Sequence, residues 1–183
     1  VFWVRQNSSQ SSSGIQANRI SSDGTRVWGA TGIQIAPVSS GTSLLDLHAV
    51  QVGPFATGSW IKSPTLGTEQ IQAAAVRDDG SLAWGTTPVV ASNTASDKTD
   101  MTSCLAGQML VTCWVDDRAG ADGLYAQNIN ENGTLGIVEP CLGDMNEDGQ
   151  VGVDDLLLVI GAWGNPYTVD DLLIVIGAWG YCP

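Results

Sequence analysis

The chain has 183 residues, four cysteines and a formal net charge of -12 at pH 7. This negative charge disfavours nucleic acid as a partner, because the phosphate groups would be repelled. The apolar run from Leu156 to Ile160 is far shorter than the ~18 residues that identify a membrane-spanning helix, so we expect no membrane span. The length allows one ordinary domain and one small module, and we therefore expect two units.

The N-terminal region contains a repeated pattern with hairpin turns. Related segments begin at Ile15 (IQANRISSDG), Ile71 (IQAAAVRDDG) and Leu124 (LYAQNINENG), and each follows a strand-like stretch with a tryptophan. The turn dipeptides predict type I′ hairpins, because Asp, Asn and Gly tolerate positive φ angles. The spacing leaves room for about four short strands in each repeat, the size of one propeller blade. The tryptophans are Trp3, Trp60 and Trp114, and the dipeptides are Asp23-Gly24, Asp79-Gly80 and Asn132-Gly133.

These repeats resemble secreted bacterial repeats with the pattern W.D.R.g...iYAQ.i...G, which is best matched by WVDDRAGADGLYAQNINENG at Trp114 to Gly133. The resemblance implies a mainly β, propeller-like fold for residues 1–139, made of about three antiparallel four-stranded repeats. Three repeats do not close a ring, and the first lacks the strand that precedes the tryptophan in the other two. We therefore expect the last part of a longer propeller or an array that closes by assembly. The units are expected near residues 1–50, 51–105 and 106–138.

No catalytic set is evident in the repeats, so we expect no enzyme activity from this chain. The segment SSDGTRVW lacks the spacing of a sialidase Asp-box, Ser-x-Asp-x-Gly-x-x-Trp. His48 is the only histidine and lies in an alternating, strand-like stretch, which favours a structural role. Asp116, Asp117 and Asp122 could be paired carboxylates for glycoside hydrolysis, but solvated turn residues are the favoured interpretation.

The cysteines, none of which lies in a CxxC pair, favour disulfides in an exported protein over a zinc site. Cys141 and Cys182 bracket the C-terminal segment, and a bond between them would add about 3 to 4 kcal/mol by restricting the unfolded chain. Free buried thiols are the alternative. Cys104 and Cys113 could bond within one sheet. The chain begins at Val1 inside a strand-like stretch, which predicts a processed product of a longer precursor, secreted or at the cell surface.

The segment DMNEDGQVGVDD, which begins at Asp144, has the order of oxygen ligands of an EF-hand calcium loop. Oxygen-bearing side chains occupy positions 1, 3, 5 and 12, with Gly149 at position 6 and a backbone carbonyl at position 7. Residues 141–183 contain seven acids and no Lys or Arg, so the segment either repels itself or binds a cation. An acidic, solvated turn is the alternative. The predicted ligands of one calcium ion are Asp144, Asn146, Asp148, Gln150 and Asp155.

The stretch over residues 143–180 closely resembles type I dockerin repeats of the form GD.N.DG.V.VDDLL.....AWG, found at the C-termini of exported bacterial proteins. The resemblance implies a small α-helical module over residues 140–183, in which a calcium loop and helix are duplicated and bind a cohesin domain. The motif VDDLL recurs at Val153 and Val169, but the four residues between Gly164 and Val169 are too few for a second loop. We therefore expect one Ca²⁺ ion rather than two.

Two short helices are predicted, each beginning at a VDD motif. Asp154 suits the N-terminus of the first helix, where the helix dipole favours negative charge, and Gly161 or Gly164 would end it. The second helix is expected over Val169 to Ala178. Thr168 would cap it, with Asp171 completing a capping-box-like pattern.

Both predicted helices are apolar nearly all round, so their side chains either pack within the unit or contact a partner. Part of the surface should pack between the helices, with Trp163 and Trp179 as large anchors, and the remainder could bind a partner. Complete burial in a core is the alternative. The dockerin resemblance implies a partner surface at Val153, Asp154, Leu157, Val169, Asp170 and Leu173. Typical dockerins have Ser-Thr where Val153 and Asp154 stand, so a cohesin is not the sole candidate partner.

These observations predict a secreted, calcium-stabilised interaction protein in which the β-repeats form a platform and the tail anchors it. Its partner would be another protein, either cohesin-like or a second copy of the chain. The alternative is the non-catalytic C-terminal part of a larger exported hydrolase associated with polysaccharide. Self-assembly into an extracellular structural protein is a third hypothesis.

Overall fold

The computed structural model describes residues 1–136, 141–146, 148 and 150–181. The chain forms two compact units, Val1–Gly136 and Ile137–Pro183. The first unit is built from β-strands, and the second contains two short α-helices and a two-stranded sheet. The predictions of a mainly β fold and of helices near the C-terminus are therefore confirmed.

The strands of the N-terminal unit form three antiparallel sheets. The first contains β1 (Phe2–Gln6), β2 (Ser12–Ala17) and β3 (Ile33–Ser40). The second contains β4 (Ser43–Val52), β5 (Phe55–Ser63), β6 (Gln70–Val76) and β7 (Val89–Ser92). The third contains β8 (Lys98–Ala106), β9 (Met109–Asp116) and β10 (Gly123–Asn130). Four strands are thus found in the middle sheet, and three in each of the others among the described residues.

The sheets begin one strand earlier than the unit boundaries predicted near residues 50 and 105. β4 pairs with β5 from Ser43 opposite Ser63 to Val52 opposite Phe55, and β8 pairs with β9 in the same way. Each of these strands therefore belongs to the sheet that follows it in the chain. The connection between repeats lies before β4 and before β8, where the pairing changes from one sheet to the next.

The three repeat turns are type I turns followed by a glycine in the left-handed region, not the type I′ turns predicted. In the first turn, Gly24 has φ +86° and donates to the Ser21 carbonyl, while Asp23 does not have a positive φ. Asp23 instead accepts a hydrogen bond from the Thr25 amide at 3.0 Å. The other two turns repeat this arrangement. A three-residue hairpin loop of this kind needs the left-handed conformation at the glycine alone.

The middle sheet is covered on both faces. Trp60 packs with residues of the first sheet, such as Ile15, in one apolar cluster. Its neighbour Ile61 packs with residues of the third sheet, including Trp114, in another. Successive strand residues point to opposite faces, so β5 contributes to both clusters in turn. Trp60 and Ile61 are both completely buried.

In the C-terminal unit, β11 (Gln150–Val151) is followed by α1 (Val153–Gly161), α2 (Val169–Gly177) and β12 (Gly180–Tyr181). β11 pairs with β12, which brings together the chain before α1 and after α2. The predicted cap of α2 is confirmed, since Thr168 accepts from the Asp170 amide at 3.3 Å and donates its own amide to Asp171 at 2.7 Å. Within the described ranges, no helix is long and apolar enough to cross a membrane.

Candidate calcium loop and docking surface

The acidic loop begins at a tight turn beneath the helices. The Asp144 amide donates to the Cys141 carbonyl at 3.1 Å. Gly143 has φ +102°, and a Cβ there would lie 3.1 Å from the backbone of Val175. Both facts require glycine at this position, because a side chain would be strained and would crowd α2. Glu147 and Gly149, the latter predicted at the sharp turn of the loop, lie outside the described residues.

Side-chain oxygens of the predicted ligands converge within the loop. The Asp148 amide donates to Asp144 Oδ1 at 3.1 Å and to Asn146 Oδ1 at 2.9 Å. These two oxygens therefore lie within hydrogen-bond distance of the same nitrogen. Asp148 Oδ1 in turn accepts from the Gln150 amide at 2.9 Å, and its Oδ2 accepts from the Asn146 side-chain amide at 2.9 Å. Each residue at positions 1, 3 and 5 thus has an oxygen that accepts a hydrogen bond from a backbone amide of the loop.

Asp155, the predicted ligand at position 12, closes the loop through backbone amides. It is buried, and its Oδ1 accepts from the amides of Met145 at 2.7 Å and Asn146 at 3.1 Å. Its Oδ2 accepts from the Gly152 amide at 2.8 Å. Burial alone would raise the pKa of Asp155, but these amides lower it below its ordinary value. The carboxylate ties the start of the loop to the start of α1, a role that its sequence position did not predict.

The donor set has the chemistry that calcium prefers. Carboxylate and amide oxygens are hard ligands, and Asp144, Asn146 and Asp148 supply both kinds from one short segment. Asp155 has an ionised carboxylate with about four acceptor positions, three of which the backbone amides use. Among the described residues, no three His, Cys, Asp or Glu side chains are assembled closely enough to hold a metal ion. Asn146 and the Gln150 carbonyl, which belong to the predicted set, are not of those four types.

The two helices bury a narrow stripe and expose the rest of their apolar surface. Val151, Val159 and Val175 form the buried cluster, with half-buried neighbours such as Leu156 and Leu172. The six residues predicted to contact a partner are all exposed, and four of them are apolar. We call the four the docking surface: Val153 (58 % exposed), Leu157 (58 %), Val169 (55 %) and Leu173 (61 %).

The two tryptophans at the helix ends are not the core anchors that the sequence predicted. Trp163 and Trp179 are each 53 % exposed. The reason lies in the length of the helices, since each is nine residues long and ends before its tryptophan. The indole rings thus lie beyond the last turn, outside the stripe of Val159 and Val175, and add to the exposed apolar surface.

Asp116 is not the solvated turn residue predicted, because it lies in a buried ionic network. It accepts from Trp114 Nε1 at 3.0 Å and from Arg118 Nε at 2.9 Å, and Lys98 Nζ lies 3.5 Å from its Oδ2. Burial would raise the pKa of Asp116, but the hydrogen bonds from Arg118 and Trp114 outweigh it and hold the pKa well below its usual range. Arg118 also stacks on Tyr125, 4.1 Å from the ring centre. This network accounts for the W.D.R part of the repeat pattern structurally.

The remaining candidates for catalysis differ in how far they are exposed to solvent. Asp117 is exposed and accepts from the Asp97 amide at 2.9 Å, and Asp122 is also exposed. His48 is half-buried on β4, opposite Ser59. The structure therefore places the buried Asp116 and its two exposed neighbours in different surroundings.

Cys141 is disulfide-bonded, whereas Cys104 and Cys113 are free. The predicted partner of Cys141, Cys182, lies outside the described residues. The suggestion of a bond between Cys104 and Cys113 is wrong, although both lie on adjacent strands. Cys104 stands opposite Val111 and Cys113 opposite Thr102, so the two cysteines are diagonal neighbours. Diagonal Cβ atoms are typically about 7 Å apart, and a disulfide needs about 4 Å.

Comparisons with protein-family models, curated proteins and solved structures found no match to this chain.

Proposed function

We propose that this chain is a secreted interaction protein whose C-terminal unit binds one calcium ion and docks onto a partner protein. In this proposal the β-repeats, with their propeller-like succession of sheets, form the platform that the tail anchors. The observation that carries the proposal is the docking surface on two helices of nearly identical sequence, beside a loop of calcium-type ligands.

The calcium part is supported by the charge and order of the loop. Residues 141–183 contain seven acids and no Lys or Arg, so a divalent cation would relieve their repulsion. Asp144, Asn146 and Asp148 would supply side-chain oxygens and Gln150 its carbonyl, in the order of an EF-hand. The ion, once bound, would hold the loop that precedes α1. The absence of a second loop before Val169 supports one ion rather than two.

The docking part is supported by surface that folding leaves uncovered. Leu157 and Leu173 occupy equivalent positions in the two helices, and both are more than half exposed. Several exposed large apolar residues on so small a unit favour a protein-binding role. The type I dockerin resemblance supports the same face.

The charge around the docking surface favours one kind of partner. Asp154 and Asp170 are exposed at the N-termini of the helices, beside Val153 and Val169. A second copy would bring the same acids against them and would be repelled. We therefore propose a cohesin-type domain whose apolar face is bordered by Lys and Arg.

The disulfide at Cys141 supports an oxidising compartment, outside the cytosol.

Calcium binding is tested by calorimetric titration of the full chain. We expect one ion per chain, and an affinity lowered about tenfold or more in the double variant Asp144→Asn, Asp148→Asn, because two charged ligands are lost. The matched control is Asp122→Asn, Asp170→Asn, which removes the same charge outside the loop and should leave binding unchanged. Equal losses in both double variants, or no binding by the unmodified chain, would sink the calcium proposal.

Docking is tested separately, with cohesin-type domains that have a Lys- and Arg-bordered apolar face. The double variant Leu157→Glu, Leu173→Glu should weaken binding about tenfold or more, since it places charge in the centre of the interface. Leu66→Glu is the control, because Leu66 is 80 % exposed in the other unit. Binding that survives the double variant would contradict the assigned face. A concentration-dependent mass of the chain alone, abolished by the double variant, would show a second copy to be the partner instead.

A further inference from the structure

A tryptophan joins the first repeat of the N-terminal unit to the second, and another joins the second to the third. Trp28 Nε1 donates to the Asp78 carbonyl at 3.3 Å, and Trp84 Nε1 donates to the Glu131 carbonyl at 2.7 Å. In both cases the acceptor lies in the hairpin turn of the following repeat, two residues before its glycine. The same donor and the same acceptor position therefore occur at both junctions.

The turn glycine is part of this junction. A Cβ at Gly80 would lie 3.3 Å from the Trp28 ring, and a Cβ at Gly133 would lie 2.7 Å from the Trp84 ring. The indole thus lies directly against the glycine backbone in both turns. A side chain at Gly133 would clash with the Trp84 ring, and one at Gly80 would press against the Trp28 ring.

The first repeat has the same turn without a tryptophan on it. Gly24 has φ +86°, as Gly133 has, but it is exposed and a Cβ there would meet nothing within 4 Å. Ser22 corresponds to Asp78 and Glu131 in position, and it is also exposed. The acceptor half of the junction is therefore formed and uncovered in the first repeat.

The first sheet has an uncovered strand edge as well. The tryptophan-bearing strands β5 and β9 each pair with a strand on both sides, whereas β1 pairs with β2 alone among the described residues. β4, which occupies the corresponding place in the second sheet, also contacts the first sheet through β1 and β2. At the intact junctions the turn is thus covered by the tryptophan of the preceding repeat. At the first of them the edge of β5 is covered by β4, a strand that follows that tryptophan in the chain.

The third repeat cannot supply the missing tryptophan. The first two turns continue as TRVWG and SLAWG, but the third continues as TLG, with Leu135 followed directly by Gly136. A second copy of this chain would therefore offer a turn without the donor. We propose that the uncovered turn at Ser22–Gly24 and the free edge of β1 together bind a β-repeat that has Trp-Gly after its turn and a further strand beyond it, other than the third repeat of this chain. This inference does not depend on the C-terminal unit.

The first test supplies the donor on a full-length probe. The probe is this chain with Ala-Trp inserted between Leu135 and Gly136, and with Gly24→Asn to block its own turn; Asn tolerates a positive φ. Mixed with the unmodified chain, it should form a one-to-one complex in sedimentation velocity. A matched probe with Ala-Ala inserted should bind about tenfold or more weakly, because buried aromatic side chains dominate association. Equal binding by the two probes would overturn the proposal, provided that both have the circular dichroism of the folded chain.

A second test covers the case in which the insertion disturbs the third repeat. Residues 43–111 are placed before Val1, so that the added copy of β8 can pair with β1 and the added Trp84 can reach the turn at Gly24. Gly24→Asn should then lower the thermal unfolding midpoint of the extended chain. In the unmodified chain the same substitution should have little effect, since nothing lies near Gly24. The same small effect in both chains would overturn the proposal.

Discussion

The middle sheet of the N-terminal unit is covered on both faces, whereas each C-terminal helix buries a narrow stripe and leaves most of its apolar side chains exposed. In the first unit, neighbouring sheets bury Trp60 and Ile61 on opposite faces of one strand. In the second, two nine-residue helices of mostly Leu, Ile and Val have three fully buried apolar residues between them and β11. Apolar composition therefore predicts burial where several layers stack, and predicts a partner surface where a small unit has too few layers.

The two units also differ in the partners of their buried acidic residues. In the third sheet, Lys98 and Arg118 both pair with the buried carboxylate of Asp116. Residues 141–183 have no Lys or Arg, and their buried acid, Asp155, is held by three backbone amides. The buried acid of the first unit is thus compensated by cationic side chains, whereas Asp155 of the second is compensated by backbone amides.

The largest expected effect is the difference in unfolding free energy between removing a buried tryptophan and removing an exposed one. Trp60→Ala should destabilise the N-terminal unit by about 4 kcal/mol, because it leaves a large cavity between the first two sheets. Trp60 Nε1 has no hydrogen-bond partner among the described residues, so this cost arises from packing. Trp179→Ala should cost about 1 kcal/mol or less in the C-terminal unit, since its ring is largely in solvent. Chemical denaturation measures both, and similar costs would break the contrast between the units.

A second prediction concerns the buried charges. Asp116→Asn should destabilise the N-terminal unit by about 3 kcal/mol, because Lys98 and Arg118 would lose their shared counterion. Lys98→Met should cost about 1 kcal/mol or less, since the pair of Asp116 and Arg118 remains and a buried ammonium is removed. Burial already lowers the pKa of Lys98, against the opposing effect of Asp116. If Lys98→Met proved as costly as Asp116→Asn, the lysine would have to be an equal member of the network.

Local signals made the C-terminal helices predictable. Thr168 and Asp171 lie three residues apart at the start of α2, and a capping box depends on that spacing alone. The ends of the helices could likewise be predicted from the glycine residues near them. The exposure of Trp163 and Trp179 did not follow, because it depends on which neighbours cover a ring beyond the helix end.

In the β unit, contacts between distant segments decided what the sequence left open. Asp-Gly and Asn-Gly are compatible with more than one hairpin turn, and the pairing of the flanking strands selects the three-residue loop found at Gly24. The burial of Asp116 requires Lys98 from a neighbouring strand, and the role of Trp28 requires the turn of the next repeat. The signal for that role was present in the repeated WG after two of the three turns, and its absence after the third.

The smallest expected effect concerns exposed carboxylates of the β unit that accept hydrogen bonds from residues of their own turn. The acids at the starts of the two C-terminal helices accept hydrogen bonds from nearby residues in the same way. The hydroxyl of Ser21 and the amide of Thr25 lower the pKa of Asp23 to about 2, and Ser81 lowers the pKa of Asp79 in the equivalent turn. A carboxyl whose folded pKa is depressed adds stability above its unfolded pKa, near 3.8, and loses that stability as the pH falls towards the folded value.

The third repeat offers a natural control for this effect, because Asn132 holds the same position and accepts from the Thr134 amide at 3.0 Å without a charge. The double variant Asp23→Asn, Asp79→Asn should therefore keep both turns but flatten the fall in stability of the N-terminal unit between about pH 4 and pH 2. Unfolding midpoints measured across that range would check it. An unchanged pH profile would mean that other carboxyls, with Asp116 the foremost, govern acid unfolding of the β unit.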